Sequence, residues 1–276
     1  MTEPKTYTVL LLADQQSGNE MGLLHPQMPG YTFKNSWQEY AWECWKHMQS
    51  MLPKRIDVTV SMDEALDGPA RPNTKYRTQI TKPSEQRLNA KKLLQPIRDK
   101  SDKFFMIAGS NWHVDELGES TRVLAEELGA DEWPGPDGYD KDIIGYQLFL
   151  QFGNVVLDLA HSQSVVMVNR SMPAEREMRY RLIDNPLEDG AGEIKFIARA
   201  HAHLFNLSWD RHGISMTCPG WQGPYYDYGT TKKSMARGAV HDMGWVLLRV
   251  TPGGDWPVIP YPTLYEQPRA ETIKIA

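Results

Sequence analysis

Five short stretches of the chain are dense in β-branched or large apolar residues, and each is too short to complete a helical amphipathic period. They are YTVLLLA (7–13), RIDVTVS (55–61), KFFMIAG (103–109), NVVLDLA (154–160) and EIKFIARA (193–200), and each predicts a buried strand. Between them the apolar positions recur at helical spacing. In NSWQEYAWECWKHMQSML (35–52), Trp37, Ala41, Cys44, Trp45 and Met48 fall on one stripe behind a candidate N-cap at Ser36, which assigns those tryptophans to a core. SEQRLNAKKLLQPIRDK (84–100) and DELGESTRVLAEELGA (115–130) read as further amphipathic helices, the second closed by Gly129. SMPAEREMRYRLID (171–184) has Ser171 and Pro173 where a helix start requires them.

Strands alternating with helices predict an α/β layered fold, while ISMTCPGW and GWVLLRVTP in the C-terminal third read as antiparallel sheet with turns. A mixed β-sandwich flanked by helices accommodates both patterns. The polar stretch from 68 to 86 has no apolar period and is expected to be a long loop of the kind that covers a site. At 276 residues, 41% of them hydrophobic, residues 1–276 are expected to form a single domain.

Charge narrows the choice of partners. Thirty basic against 35 acidic side chains leave a formal charge of −5, which argues against a broad basic face for nucleic acid. Cys44 and Cys218 match no zinc or redox spacing, and the N-terminal apolar run is too short for a membrane span. The expectation is therefore a cytoplasmic chain with ordinary thiols and no membrane partner.

The first polar residues after each strand carry the chemistry. They are Asp14 and Gln16, Asp63 and Glu64, Asn111 and His113, His161, and the pair His201 and His203. In an open α/β sheet the carboxyl ends of the strands line the crevice where ligands bind, so these groups can converge from distant parts of the chain. Carboxylate, amide and imidazole donors together suit one or two divalent transition ions such as Mn²⁺, Fe²⁺, Ni²⁺ or Zn²⁺. On an extended backbone, His201 and His203 would face the same way.

The order of these pieces, ADQQSGNEMGLLHP, DEALDG, GSNWHVDELGESTRVLAEELGA, DLAHS and RAHAHLF, with TCPGWQGPY downstream, resembles the calcineurin-like metallophosphoesterases, most of all their phage and prokaryotic branch. The resemblance spans roughly residues 7 to 265. It implies a metallophosphoesterase-like fold and metal-dependent hydrolysis of a phosphodiester or phosphomonoester, with nucleic acid or nucleotides among the substrates. It also implies one ion held by Asp14, position 16 and His203, a second held by Asn111, His161 and His201, and an acid after the second strand bridging them. His113 would be the general acid, and Arg199 is the candidate phosphate contact.

Two motifs depart from the family pattern. Gln16 stands where the family has histidine, and DEALDG lacks the usual Gly-Asp, so that ungapped alignment puts Glu64 on the bridging position with Asp63 as the alternative. These departures motivate a second reading, in which the chain keeps the fold and a metal but acts as a binding or inhibitory protein.

Overall fold

The five apolar runs all form strands in the computed structural model of the chain, which describes residues 4–68, 77–110, 119–134, 141–161, 172–183, 187, 190–209, 211–223 and 241–266. The first part alternates β1 (Tyr7–Leu12), α1 (Ser36–Met51), β2 (Ile56–Ser61), α2 (Pro83–Arg98), β3 (Ser101–Ile107) and α3 (Glu119–Leu128). Three two-residue strands follow, β4 (Trp133–Pro134), β5 (Lys141–Asp142) and β6 (Ile144–Gly145), then the hairpin of β7 (Gln147–Phe152) and β8 (Val155–Ala160). The rest is α4 (Met172–Ile183), β9 (Glu193–Arg199), β10 (Asn206–Trp209), β11 (Ile214–Thr217), β12 (Met243–Val250) and β13 (Val258–Tyr265).

Two sheets face each other. One has the order β13-β12-β1-β2-β3-β6 and the other β10-β11-β9-β8-β7. β1, β2, β3 and β6 run parallel, as do β8, β9 and β11, while β12 is antiparallel to both β1 and β13. The alternation of side chains along each strand builds the layers. Val9 and Leu11 of β1 join Val60, Leu157, Leu159, Phe196 and Leu248 between the sheets. Leu10 and Leu12 point the other way, onto Trp45, Leu93, Phe104 and Leu124 beneath α1, α2 and α3. α4 closes the far side over Val156, Ile194 and Ile197 through Met178. Each such buried aliphatic side chain contributes roughly 1.5–3 kcal/mol. The result is the expected α/β sandwich of two mixed sheets with helices outside.

Several details correct the sequence reading. The N-cap of α1 is Asn35, whose side chain accepts from the Gln38 backbone N–H, and Ser36 is the first helical residue. α2 begins at Pro83, inside the expected loop, and residues 77–80 are pinned by Glu20 N–H to the Arg77 carbonyl and by Ile80 N–H to the Gly18 carbonyl. Ser171 lies outside the described residues. Gly129 ends α3 with φ +61°, and the bond from Ala130 N–H to the Ala125 carbonyl completes a Schellman turn. β11 pairs parallel with β9 as well as antiparallel with β10, so the C-terminal third is not purely antiparallel.

A bulge between β8 and β9 affects the site directly. Val156 pairs with Ile194 but Leu157 with Phe196, leaving Lys195 extra and inverting the alternation beyond it. Phe196 and Ala198 therefore face the inter-sheet core, and Ile197 and Arg199 face α4. No described helix is long and apolar enough to cross a membrane.

Candidate metal centre

Past their last paired residues, β1 and β2 continue side by side as loops. Asp14 N–H bonds the Asp63 carbonyl, Gln16 N–H the Glu64 carbonyl, and Ser17 N–H the Ala65 carbonyl, at 2.8–3.0 Å. The other sheet reaches the same pole through His161, whose carbonyl accepts from Ala200 N–H, and through the turn from His201 to His203. The turn is tied down by Asp242 N–H on the His203 carbonyl. The two sheets thus deliver their strand-end loops to one place.

The backbone there is strained. Among the described residues six non-glycine residues have positive φ: Asp14 (57°), Gln16 (51°), Asp63 (42°), Glu64 (59°), His201 (69°) and His203 (51°). Left-handed backbone costs a non-glycine residue roughly 1 kcal/mol or more, and such residues persist where the surroundings over-determine them, typically at functional sites. All six are residues singled out from the sequence for their donor chemistry. The same angles correct the expectation of an extended His201-x-His203 pair. β9 ends at Arg199, both histidines are left-handed, and their rings go to different neighbours.

Two donor groups result, one of Glu64, His161 and His201, the other of Asp14, Glu64 and His203, with the atoms of each within 4.8 Å of one another. Glu64 belongs to both. Its Oε1 lies 2.9 Å from His161 Nε2 and 3.2 Å from His201 Nδ1, and also accepts from Ser110 Oγ. Its Oε2 accepts from Gln16 Nε2 at 2.6 Å. His203 Nε2 lies 3.2 Å from Asp14 Oδ1. Asp14, Gln16, Glu64, His161 and His203 are buried, Ser110 is half-buried, and His201, 44% exposed, marks the opening to solvent.

Asp63 does not join them. Its carboxylate turns to the Ala65 N–H (2.9 Å) and Thr121 Oγ1 (2.8 Å), tying the loop to α3. The choice that the sequence left between the two acids falls geometrically to Glu64. Arg199 is also corrected. Its guanidinium is 2% exposed beneath α4, held 3.0 Å from Asp158 Oδ1 and 2.6 Å from Glu177 Oε2, so it is a buried structural cation facing away from the site. The β8–β9 bulge sends it to that face. Asn111 and His113 lie outside the described residues.

The electrostatics fit a cation. Among the described residues, Asp14 Oδ2 and Gln16 Oε1 have no hydrogen-bond donor, and fully buried Asp14 meets the His203 imidazole through Oδ1. A buried carboxylate beside a single imidazole is costly unless that imidazole is protonated or an ion neutralises it. Burial opposes protonation of His161, but the Glu64 carboxylate overcomes this and raises its pKa to about 9. Burial likewise opposes protonation of His203, and Asp14 outweighs it, moving that pKa upward. Both imidazoles stand in for cations against carboxylates. Burial, relieved in part by its two hydrogen bonds, pushes Asp63 up to about 6.

Two residues at this pole escaped the sequence reading. Ser110 lies inside the AGSNWH stretch but is no metal-ligand type. His241 packs its ring edge-on to His203, 4.8 Å between centres, and burial lowers its pKa to about 3. It precedes a strand instead of following one, and because β12 runs antiparallel to β1 its amino end lies at the same pole as the other loops. Both cysteines are buried free thiols.

No protein-family model matches the sequence, and no curated protein matches it. Among solved structures, the chain is similar over 93% of its length, and 98% of the other's, to Vps29 from Entamoeba histolytica complexed with Zn²⁺, at 10% identity and a TM-score of 0.40. It is similar over 93% of its length and 99% of the other's to an archaeal phosphodiesterase, at 8% identity and 0.41. A conserved protein from Streptococcus pneumoniae described as a predicted phosphoesterase is similar over 94% and 99%, at 7% identity and 0.37.

Proposed function

We propose that this chain is a metal-dependent phosphoesterase of the calcineurin-like type, acting on a phosphodiester or phosphomonoester. The observation that carries the reading is the sharing of one buried carboxylate, Glu64, by two donor groups drawn from opposite sheets. Asp14, Gln16, Glu64 and His203 would hold one divalent ion. Glu64, His161 and His201, joined by Asn111, would hold the other. Bound there, such ions supply positive charge for phosphoryl oxygens and lower the pKa of water toward neutrality. The remaining work falls to the protein. The paired loops after β1 and β2 hold the donors in register, the buried walls exclude bulk water, and His201 borders the entrance. His113 is proposed as the acid that protonates the departing alkoxide, a role suited to imidazole near neutral pH. Nucleic acid and nucleotides are the substrate classes that the motif resemblance suggests.

The second reading, a metal-containing binding or inhibitory protein, draws on one feature. Both Glu64 oxygens already accept hydrogen bonds from protein donors, Gln16 among them. Metal analysis followed by hydrolysis of bis(p-nitrophenyl) phosphate with Mn²⁺, Ni²⁺ or Zn²⁺ separates the two. The enzyme reading expects metal-dependent turnover that His161→Ala abolishes. Stoichiometric metal with no turnover favours the binding protein, and the absence of retained metal refutes both.

A further inference from the structure

At the pole opposite the metal centre two hairpins, one from each sheet, open onto a common cleft. The turn between β10 and β11 carries Arg211 and His212 just after Trp209, and the turn between β12 and β13 carries Asp255 and Trp256. These residues line one cavity of about 620 Å³, within the roughly 300–1,000 Å³ usual for ligand pockets. Its floor is apolar, with buried Val155, Ile214 and Val258. Its walls carry the two tryptophans, 67% and 71% exposed, and among the described residues they are the only exposed tryptophans. Two large indole faces left to water at one cavity, in a chain that otherwise packs its described tryptophans inward, mark a surface suited to stacking. Val155 opens β8 and His161 follows its end, so at roughly 3.3 Å per residue the cleft lies about 20 Å from the metal centre.

The polar groups around this cleft are of both signs. Lys195, the extra residue of the β8–β9 bulge, is paired with Glu193. Arg211 Nε donates to His212 Nε2 at 2.9 Å, which orients the guanidinium, and its terminal nitrogens meet no carboxylate among the described residues. Asp255 is an exposed acceptor on the opposite hairpin. We propose that this cleft is a second, non-catalytic site for a nucleotide, free or within a single strand. Its base stacks on Trp209 and Trp256, its phosphate meets Arg211, and its ribose hydroxyls donate to Asp255. A planar base stacks on indole whatever its identity, a guanidinium grips two phosphate oxygens, and a carboxylate accepts from a ribose hydroxyl. A wholly anionic ligand would be repelled by Asp255, and a wholly apolar one would leave Arg211 unpaired, whereas a nucleotide answers both. Trp209 also borders a smaller cavity of about 230 Å³ with Arg179, Ser208 and Ser215, where the next phosphate of a strand would find donors. None of these residues belongs to the metal centre, so the proposal stands apart from the metal reading.

The test uses the full chain with chelator present, so that binding is read without turnover. AMP, adenosine and an RNA hexamer of adenylate are titrated by calorimetry, with tryptophan fluorescence followed in parallel. AMP should bind and quench the fluorescence, and adenosine should bind on the order of tenfold more weakly for want of the charged contact. Trp256→Ala, at an exposed position, should weaken AMP by roughly five- to a hundredfold. Arg211→Gln should bring AMP down to the affinity of adenosine and leave adenosine unchanged. Both variants should keep the parent's metal content and its rate on bis(p-nitrophenyl) phosphate, because the cleft is remote from the centre. A hexamer that binds more tightly than AMP, and loses that advantage as salt rises, identifies a single strand as the source, whereas equal affinities identify the free nucleotide. Absence of binding by both, or AMP binding that survives Trp209→Ala and Trp256→Ala alike, would overturn the proposal and leave the metal reading untouched. Binding of a proline-rich peptide with no nucleotide bound would overturn it as well.

Discussion

Adjacent acids with opposite orientations make a sharp test, because Asp63→Asn and Glu64→Gln are nearly isosteric changes with different expected outcomes. Asp63 is buried, and its folded pKa of about 6 stands above the ordinary 3.8, burial being the main cause. A folded pKa that is raised means the folded state binds more protons, so the penalty is absent below about pH 4, grows as pH rises through 6, and then levels off. At 1.36 kcal/mol per unit, the roughly two-unit shift amounts to about 3 kcal/mol at pH 8. In Asp63→Asn the new side chain would keep the Ala65 N–H bond through its oxygen, and its amide can donate to Thr121 once that hydroxyl reverses. Asparagine also tolerates the φ of 42°. The variant should therefore retain metal, match or exceed the parent's stability at pH 8 by up to about 3 kcal/mol, and lose that advantage toward pH 4. Glu64→Gln removes the charge that both donor groups share and sets an amide against Gln16 Nε2, so metal affinity should fall by on the order of a hundredfold or more. Urea denaturation across pH, with calorimetric metal titration of each variant, measures both quantities. Metal loss in Asp63→Asn with retention in Glu64→Gln would refute the assignment of Glu64.

Metal affinity should also rise with pH. In the metal-free protein, protonated His161 against Glu64 stabilises the fold fully below about 6.5, and this is lost as pH passes about 9, so a metal must displace that proton. Titration should show apparent affinity climbing by roughly tenfold per pH unit per proton displaced, flattening near 9, and a flat profile from 6 to 8 would contradict it. Arg199→Met should destabilise the chain by less than the roughly 3–5 kcal/mol of a fully stranded buried charge, because Asp158 keeps Arg181 and Gln147 and Glu177 is partly exposed, while leaving the KM for a phosphodiester unchanged, and a large KM effect in folded protein would restore Arg199 to the substrate. In Gly220→Ala the new Cβ would meet Asp14 Cβ at 3.0 Å and His203 Cγ at 3.1 Å, so metal on that side should weaken by on the order of tenfold while the other half is unaffected. Elemental analysis of the variant reads the difference.

Much of this was legible in the chain and some was not, for identifiable reasons. Compact runs of branched residues gave away β1, β2, β3, β8 and β9, because strands buried on both faces leave no other pattern. The donor residues were legible because each follows such a run. β13 was hidden by Pro260 and Pro262, which a central strand would exclude. It forms at the edge of its sheet, where missing N–H groups are tolerated. The choice between Asp63 and Glu64 depended on left-handed backbone that no local pattern announces. Arg199 was misread because a single extra residue, Lys195, reversed the faces of β9 just before it. His241 was invisible because the rule of reading past strand ends holds only for strands pointing toward the site.

The donor groups come from loops of both sheets, with Asp14 and Glu64 on one and His161, His201 and His203 on the other. An ion seated among them would act as a rivet through the sandwich, fastening two layers otherwise joined at this pole by side-chain packing and a few hydrogen bonds. By mass action, a cation at a hundred times its dissociation constant would add about 2.7 kcal/mol to the folded state. Heat resistance of this chain should therefore track the metal supply, and stripping the ion should let the layers slip first at the end where the chemistry is housed.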